Sequence, residues 1–304
     1  MTPGTASSLM SNEAFAAVRA HPEFRAAVER AAAESVSYFQ RLDPAYQWIT
    51  KDIGRASICV TALTLHLLGG LTVQALTAAC VEGKLSSAGR VQQVVRRSQD
   101  IGEMVVEPGA GLWTRRPMRL GDGLIRALRV RALIDLRAAL LLAPALAGAA
   151  ELADTDEGFV DYVLCISTII SQRRDFFAFM DSPTITFFLD REAGMSILFD
   201  LMGAQAPERE RLLEEAKISR YALSRRYGVS RAHINKILAE SGHIDCVSSD
   251  RVVFSQTLSS AMERHYSLVF HLNHAAAEVL LSGWKYEPGR MRRAGLDRER
   301  SGRR

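Results

Sequence analysis

Apolar positions recur at helical spacing along most of this chain, and the breaks between them fall at glycine, serine and proline. Residues 1–23 are small and polar without periodicity, which predicts a loose N-terminal arm. Phe24 to Phe39 reads as a helix rich in alanine and glutamate. Ser57 to Leu68 reads as an apolar helix stopped by Gly69-Gly70, after which Thr72 caps a second helix over Val73 to Glu82. Gly83-Lys84-Leu85 makes a turn, and Ser86 or Ser87 caps a third helix running to about Ile101. A short strand is expected at Met104 to Glu107, a turn at Pro108 to Gly111, a return strand at Leu112 to Arg115, and a long helix from Leu120 to Ala143, ending at Pro144.

The same order follows a second time. Ser196 begins a helix, Ser219 caps Arg220 to Tyr227, Gly228-Val229 turns, and Ser230 caps a helix over Arg231 to Ser241. Strands are expected at Ile244 to Val247 and Arg251 to Ser255, then a closing helix at Leu258 to Leu281. Individual residues recur too. Phe39, Asp43 and Asp52 reappear as Phe177, Asp181 and Asp190, and Ser57-Ile58 as Ser196-Ile197. Gly102-Glu103-Met104 matches Gly242-His243-Ile244 loosely, and Leu120 matches Leu258. A duplicated unit implies a dimer built into one chain.

Composition narrows the function classes. The chain has 304 residues, 48% hydrophobic and 24% charged, as expected of a soluble globular protein with room for two domains. The formal net charge is +4, but residues 285–304 alone carry Lys285 and seven arginines against three acids, so the global excess belongs to the tail. Arginine outnumbers lysine 33 to 5, an excess that a GC-rich genome produces without any phosphate partner. Local balance is more telling: residues 84–119 and 217–251, the corresponding segments of the two copies, each hold seven basic and three acidic side chains. Cys59, Cys80, Cys165 and Cys246 form no Cys-x-x-Cys pair and read as buried thiols of a reducing, cytoplasmic compartment. No signal pattern opens the chain. Ser57 to Val81 lacks charge over 25 residues, but His66, Gln74, four threonines and Gly69-Gly70 argue against a membrane span.

The third helix of each copy carries the candidate chemistry. In the second copy Ala222, Leu223, Val229, Ile234, Ile237 and Leu238 form the expected buried side. The other side offers Arg231, His233, Asn235 and Lys236, hydrogen-bonding types suited to base edges and phosphates, while Ser219 and Ser230 leave helix N-termini open to a phosphate. In the first copy Val91, Val94 and Val95 are buried, and Ser87, Arg90, Gln93, Arg96 and Arg97 are exposed. Arginine suits guanine and glutamine suits adenine. The first hairpin adds Arg115, Arg116 and Arg119, the second Arg251, placed to hold phosphates or enter the minor groove.

Other groupings read as structural. His265, His271 and His274 share one helix but have no acidic or cysteine partner at metal-like spacing, so a helix-surface role and no metal are expected. Trp48, Trp113 and Trp284 read as packing anchors, and the recurring aspartates as caps or turns. No nucleotide loop, nucleophile elbow or zinc-protease motif occurs, so neither a catalytic residue nor a cofactor is expected, and the chain does not read as an enzyme.

On these residues the chain resembles the MarR-type winged-helix transcriptional regulators of bacteria, over about residues 55–143 and 195–281. Ser249-Asp250-Arg251 followed by Thr257-Leu258 is similar to that family's wing. The first copy, with Arg116-Pro117-Met118-Arg119, lacks the aspartate before its arginines and is the more divergent half. The resemblance implies a mainly α fold with small β-hairpin wings, as two tandem winged helix-turn-helix units in a pseudo-two-fold arrangement. It places the first unit at 24–144, a linker at 145–161, the second unit at 162–283 and a basic tail at 284–304. Family members are usually homodimers of shorter chains, so this chain would act as a monomeric pseudo-dimer. The implied partner is double-stranded DNA, bound at an asymmetric site, with a small-molecule effector or regulatory protein as a further partner of the kind the family uses. Two other readings fit the same pattern: a plasmid-type replication initiator, and a tandem winged-helix scaffold for protein interactions.

Overall fold

The computed structural model describes residues 12–171 and 182–285. Phe177 and Asp181 of the repeat, and the tail from 286 onward, lie outside the described residues.

The chain is mainly helical with two small antiparallel sheets. The described part of the expected loose arm is instead a helix, α1 (Asn12–Ala20), which packs on the last of the described helices and buries Phe15. Its apolar side, spaced as Phe15 and Val18, was too short for periodicity to reveal. Then come α2 (Phe24–Arg41), α3 (Pro44–Thr50) and α4 (Ile53–Leu67). Asp43 and Asp52 cap α3 and α4, accepting the backbone N–H of Ala45 and Arg55. Helices α5 (Val73–Glu82) and α6 (Ala88–Asp100) start at Thr72 and Ser87, as their side chains dictate.

Strands β1 (Met104–Val106) and β2 (Met118–Leu120) pair next, Val105 opposite Arg119. The return strand is therefore not at 112–115. Those residues are occupied by a 3-10 turn, Trp113–Arg115, whose Trp113 ring packs on the core beneath it. The long helix α7 (Asp122–Ala139) begins two residues later than expected because Leu120 belongs to β2.

The segment 145–161 is not an open linker. It contains α8 (Gly148–Ala153) and the start of α9 (Asp156–Ser171). After α10 (Pro183–Leu189) the element order of the first half returns: α11 (Gly194–Gly203), α12 (Arg220–Tyr227), α13 (Arg231–Glu240), β4 (Ile244–Cys246), β5 (Arg251–Phe254) and α14 (Gln256–Leu281). One strand the pattern did not predict, β3 (Glu215–Lys217), precedes α12 and pairs with β5, giving the sheet order β3-β5-β4. Three residues are too few for a readable alternation. In the first half Leu71 takes its place with a single bond, its carbonyl accepting the Met118 N–H at 2.9 Å.

Among the described residues two large hydrophobic cores form, beside a small cluster of Phe15 and Leu268, and the membership of the two crosses the expected boundaries. The core under α11–α14 takes in α2, through Phe24, Val28 and Phe39, and Ala138 and Ala139 at the end of α7. The core under α4–α7 takes in α9, through Phe159, Tyr162 and Ile169, and Ala275 to Leu280 at the end of α14. Each half thus lends the other one helix before its bundle and the tail of its closing helix. At 26 residues α14 is about 39 Å long, enough to reach from one core to the other.

The three histidines of α14 face neighbouring helices, which corrects their expected surface role. His274 Nε2 donates to the Ala139 carbonyl at 2.7 Å, and the His271 ring meets Phe15 edge-on. His265 lies beside Tyr266 of α14 and Arg131 and Asp135 of α7, where burial pushes its imidazole down to about 4. Cys59, Cys80 and Cys165 are buried, and burial raises the Cys59 and Cys165 thiols to about 12, but Cys246 is exposed on β4. Among the described residues no helix is long and apolar enough to cross a membrane.

Candidate nucleic-acid interface

The sharper of the two candidate surfaces is α12–α13. Ser219 Oγ accepts the Ala222 N–H at 3.2 Å and Ser230 Oγ accepts the His233 N–H at 3.0 Å, so both helix starts are fixed by local chemistry. Gly228 sits at φ +60°, the left-handed conformation that ends α12 and lets α13 begin three residues later. Leu223, Tyr227, Ile234, Ile237 and Leu238 fill the space between them. Tyr227 is an addition to the expected set, its hydroxyl bonded to Asp200 and to the Ser196 carbonyl. Ala222 is exposed and Val229 half-buried, where both were expected to be buried: each lies at the edge of the packed side, which Leu223 and Tyr227 fill.

The candidate readers of this half divide. Arg231, Asn235 and Lys236 are exposed on α13. His233 is not: its ring is half-buried and Nε2 donates to the Glu192 carbonyl at 2.9 Å, so it holds the fold rather than a base. Asn235 Oδ1 accepts from Arg220 Nε at 2.8 Å, and Lys236 lies 3.8 Å from Glu240. Arg220 also donates to the Ser249 carbonyl and reaches Cys246 Sγ at 3.2 Å, tying α12, α13 and the β4–β5 hairpin together. Its placement one residue after the Ser219 cap was the signal for it, and the sequence reading passed over it. Arg251 is held by both oxygens of Glu215 on β3, at 2.9 and 2.5 Å. Because β3 was not foreseen, neither was this partner.

The first half is looser around its third helix. Lys84, at φ +54°, turns the chain, and the Ser87 cap bond to the Arg90 N–H is long, at 3.4 Å. Val91, Val94, Val95 and Ser98 face inward, and Gln93, Arg96 and Arg97 face out. Arg90 departs from expectation: its guanidinium is ion-paired to Asp52, which is only 5% exposed. Arg97 lies 5.9 Å from the Trp48 ring centroid. On the hairpin, Arg115 donates to Gln74 at 3.0 Å and Arg116 to the Gly109 carbonyl at 3.2 Å, while Arg119 is exposed on β2. Arg96, Arg119 and Arg231 make no ion pair or side-chain hydrogen bond among the described residues. Among the candidate readers, these three and Gln93 are the ones without a hydrogen-bonded, ion-paired or aromatic-ring partner among the described residues. No group of three or more metal-ligating side chains occurs among the described residues.

Comparison with family models, with curated proteins and with solved structures finds no match to this chain.

Proposed function

We propose that this protein is a sequence-specific, double-stranded DNA-binding transcriptional regulator, in which two winged helix-turn-helix units of one chain act as a pseudo-dimer. The observation that carries the reading is the repeated order of three helices, hairpin and closing helix, joined by reciprocal exchange of helices between the two cores. That exchange is how two subunits of a dimer interlock, here within a single polypeptide. Each unit presents a Ser-capped third helix with polar side chains outward, the geometry by which such helices enter a major groove. The likeness to MarR-type regulators rests on the same elements and on Asp250-Arg251 in the second wing.

In this reading α6 reads bases through Gln93, Arg96 and Arg97, and α13 through Arg231 and Asn235. Ser87, Ser219 and Ser230 leave the first N–H groups of their helices near the phosphate backbone. Arg115, Arg116 and Arg119 of the first wing follow the phosphates or the minor groove. Lys236 and Arg251 reach DNA only by leaving Glu240 and Glu215. Because the two helices carry different side chains, the site is asymmetric, with unlike half-sites one helical turn apart, about 34 Å.

Selection of bound fragments from a random and a genomic DNA pool tests this. The expected product is one non-palindromic motif whose binding weakens steeply with salt. Recovery of no enriched sequence, with no retention of any duplex at low salt, overturns it.

A further inference from the structure

The two third helices are fastened at equivalent positions. Arg90 and His233 each lie three residues after the serine that caps their helix. Each turns inward to the residues just before the first of the three repeated helices of its half: Arg90 to Asp52, the cap of α4, and His233 to the carbonyl of Glu192, two residues before α11. Those two helix starts are in turn bonded to each other. The Ala193 N–H donates to the Lys51 carbonyl at 2.6 Å. Lys51 Nζ lies 3.1 Å from Glu192 and Arg55 Nη1 lies 3.4 Å from it. Lys51 Nζ also reaches the Tyr227 carbonyl at the end of α12, at 3.5 Å. Arg55 stacks on Trp48 at 4.3 Å from the ring centroid. Ala193 is fully buried and held at φ +61°, a conformation disfavoured for any residue with a Cβ and kept only where surrounding contacts enforce it. Partial burial opposes ionisation of Glu192, but the Lys51 ammonium and the Arg55 guanidinium outweigh it and hold the carboxyl below its usual range.

We infer that the Lys51–Arg55–Glu192–Ala193 junction is a spacing gauge: it fixes the separation of α6 and α13 and so sets which half-site spacing the protein accepts. Its members are positioning residues and touch no base. The inference rests on the DNA-binding reading for its consequence, but its structural half stands apart from that reading. A salt-bridged contact at one place, with a 3.1 Å pair, a 3.4 Å pair and a 2.6 Å backbone bond, connects two helices that otherwise belong to different cores.

The test uses the full chain and has two arms. In the first, spin labels are placed at Gln92→Cys on α6 and Ala239→Cys on α13, both exposed, in a Cys246→Ser background, and their distance distribution is measured without DNA. The expected result is a narrow distribution that broadens in Lys51→Ala/Glu192→Ala. The milder Glu192→Gln serves if the double variant does not fold, as judged by its thermal transition. In the second, the selected DNA site is resynthesised with base pairs added or removed between its half-sites. The starting protein discriminates among spacings, and the variant loses that discrimination by about fivefold or more, the size of an ordinary coupling between sites. Tight binding at the preferred spacing falls less than the discrimination does, which a merely structural loss would not produce. An unchanged distance distribution, or an unchanged spacing profile, overturns the inference. If no duplex binds at all, the functional reading fails and the distance arm alone decides whether the junction sets the helix separation.

Discussion

The two units share an element order but differ in how their polar side chains are spent. In the second, the strand β3 completes a three-stranded sheet, Arg220 pins the hairpin to both helices, and most cations near α13 already have partners in Asn235, Glu240 and Glu215. In the first, a two-stranded hairpin with a 3-10 turn stands beside a third helix whose Arg96 and Gln93 are unengaged. The second unit is the better built and the first is the freer to bind. Counting basic residues treats the halves as equals, at seven each; asking which cationic groups are occupied separates them.

The largest effect should test whether the difference in construction divides the molecule. Phe254→Ala empties a fully buried site in the second core and is expected to cost about 3–5 kcal/mol. Since α2, α7, α9 and α14 each serve a core beyond their own unit, calorimetry should record one transition shifted downward. Two separate transitions, with the first unit unmoved, would break the picture of interlocked halves.

The seam between the units gives a pH test. His265 is pushed down to about 4 by burial, with Asp135 pulling upward and Arg131 pushing further down. Between its ordinary value near 6.5 and 4, the unfolded chain takes up a proton that the folded chain refuses. Stability therefore falls as pH drops through that window, by up to about 3 kcal/mol, and this group contributes no further loss below it. His265→Phe should flatten the urea midpoint over that range; an identical slope in the variant would show that other groups govern it.

Binding sharpens the contrast further. Arg96→Ala and Arg97→Ala on α6 should each weaken the selected site by about 1–3 kcal/mol in gel-shift titrations. Lys236→Ala on α13, already paired with Glu240, should cost less than about 1 kcal/mol. Equal losses would erase the distinction between free and engaged cations. The smallest effect is expected from Glu215→Gln, which releases Arg251 on the second hairpin. Affinity should rise about two- to threefold, consistent with the small worth of an exposed ion pair. A fall would mean that the Arg251–Glu215 pair shapes the hairpin rather than merely holding Arg251 back.

Much of the helical framework was legible along the chain. Thr72, Ser87, Ser219 and Ser230 each cap the helix expected of them, and Gly228 makes the expected turn, because a cap or a turn is decided by atoms within four residues. The boundaries of α5 and α12 fell where the pattern put them. Of the elements that escaped, β3, α3, α8 and α10 are three to seven residues long, too short to establish a period, and α1 and the 16-residue α9 escaped as well. The 3-10 turn at Trp113–Arg115 escaped for a different reason: its side chains fit a strand equally well, and only the pairing of Val105 with Arg119 excludes it.

The candidate site was legible as a surface and not as a set of contacts. Polar spacing placed Arg90 and His233 on the outer face of their helices, since periodicity reports only where a Cβ points. Each lies near the helix start, where a long or ring-bearing side chain can bend back to a neighbour. Asp52 and Glu192, which capture them, are 38 and 41 residues away in the chain. Arg251 was lost to Glu215 in the same way, across 36 residues.

By itself the sequence determined the helix caps and most of the helix starts beside them, since these rest on short-range chemistry. Tertiary structure alone decided that the halves exchange helices and which cations remain free, because an ion pair or a shared core forms between residues that only folding brings within a few ångströms.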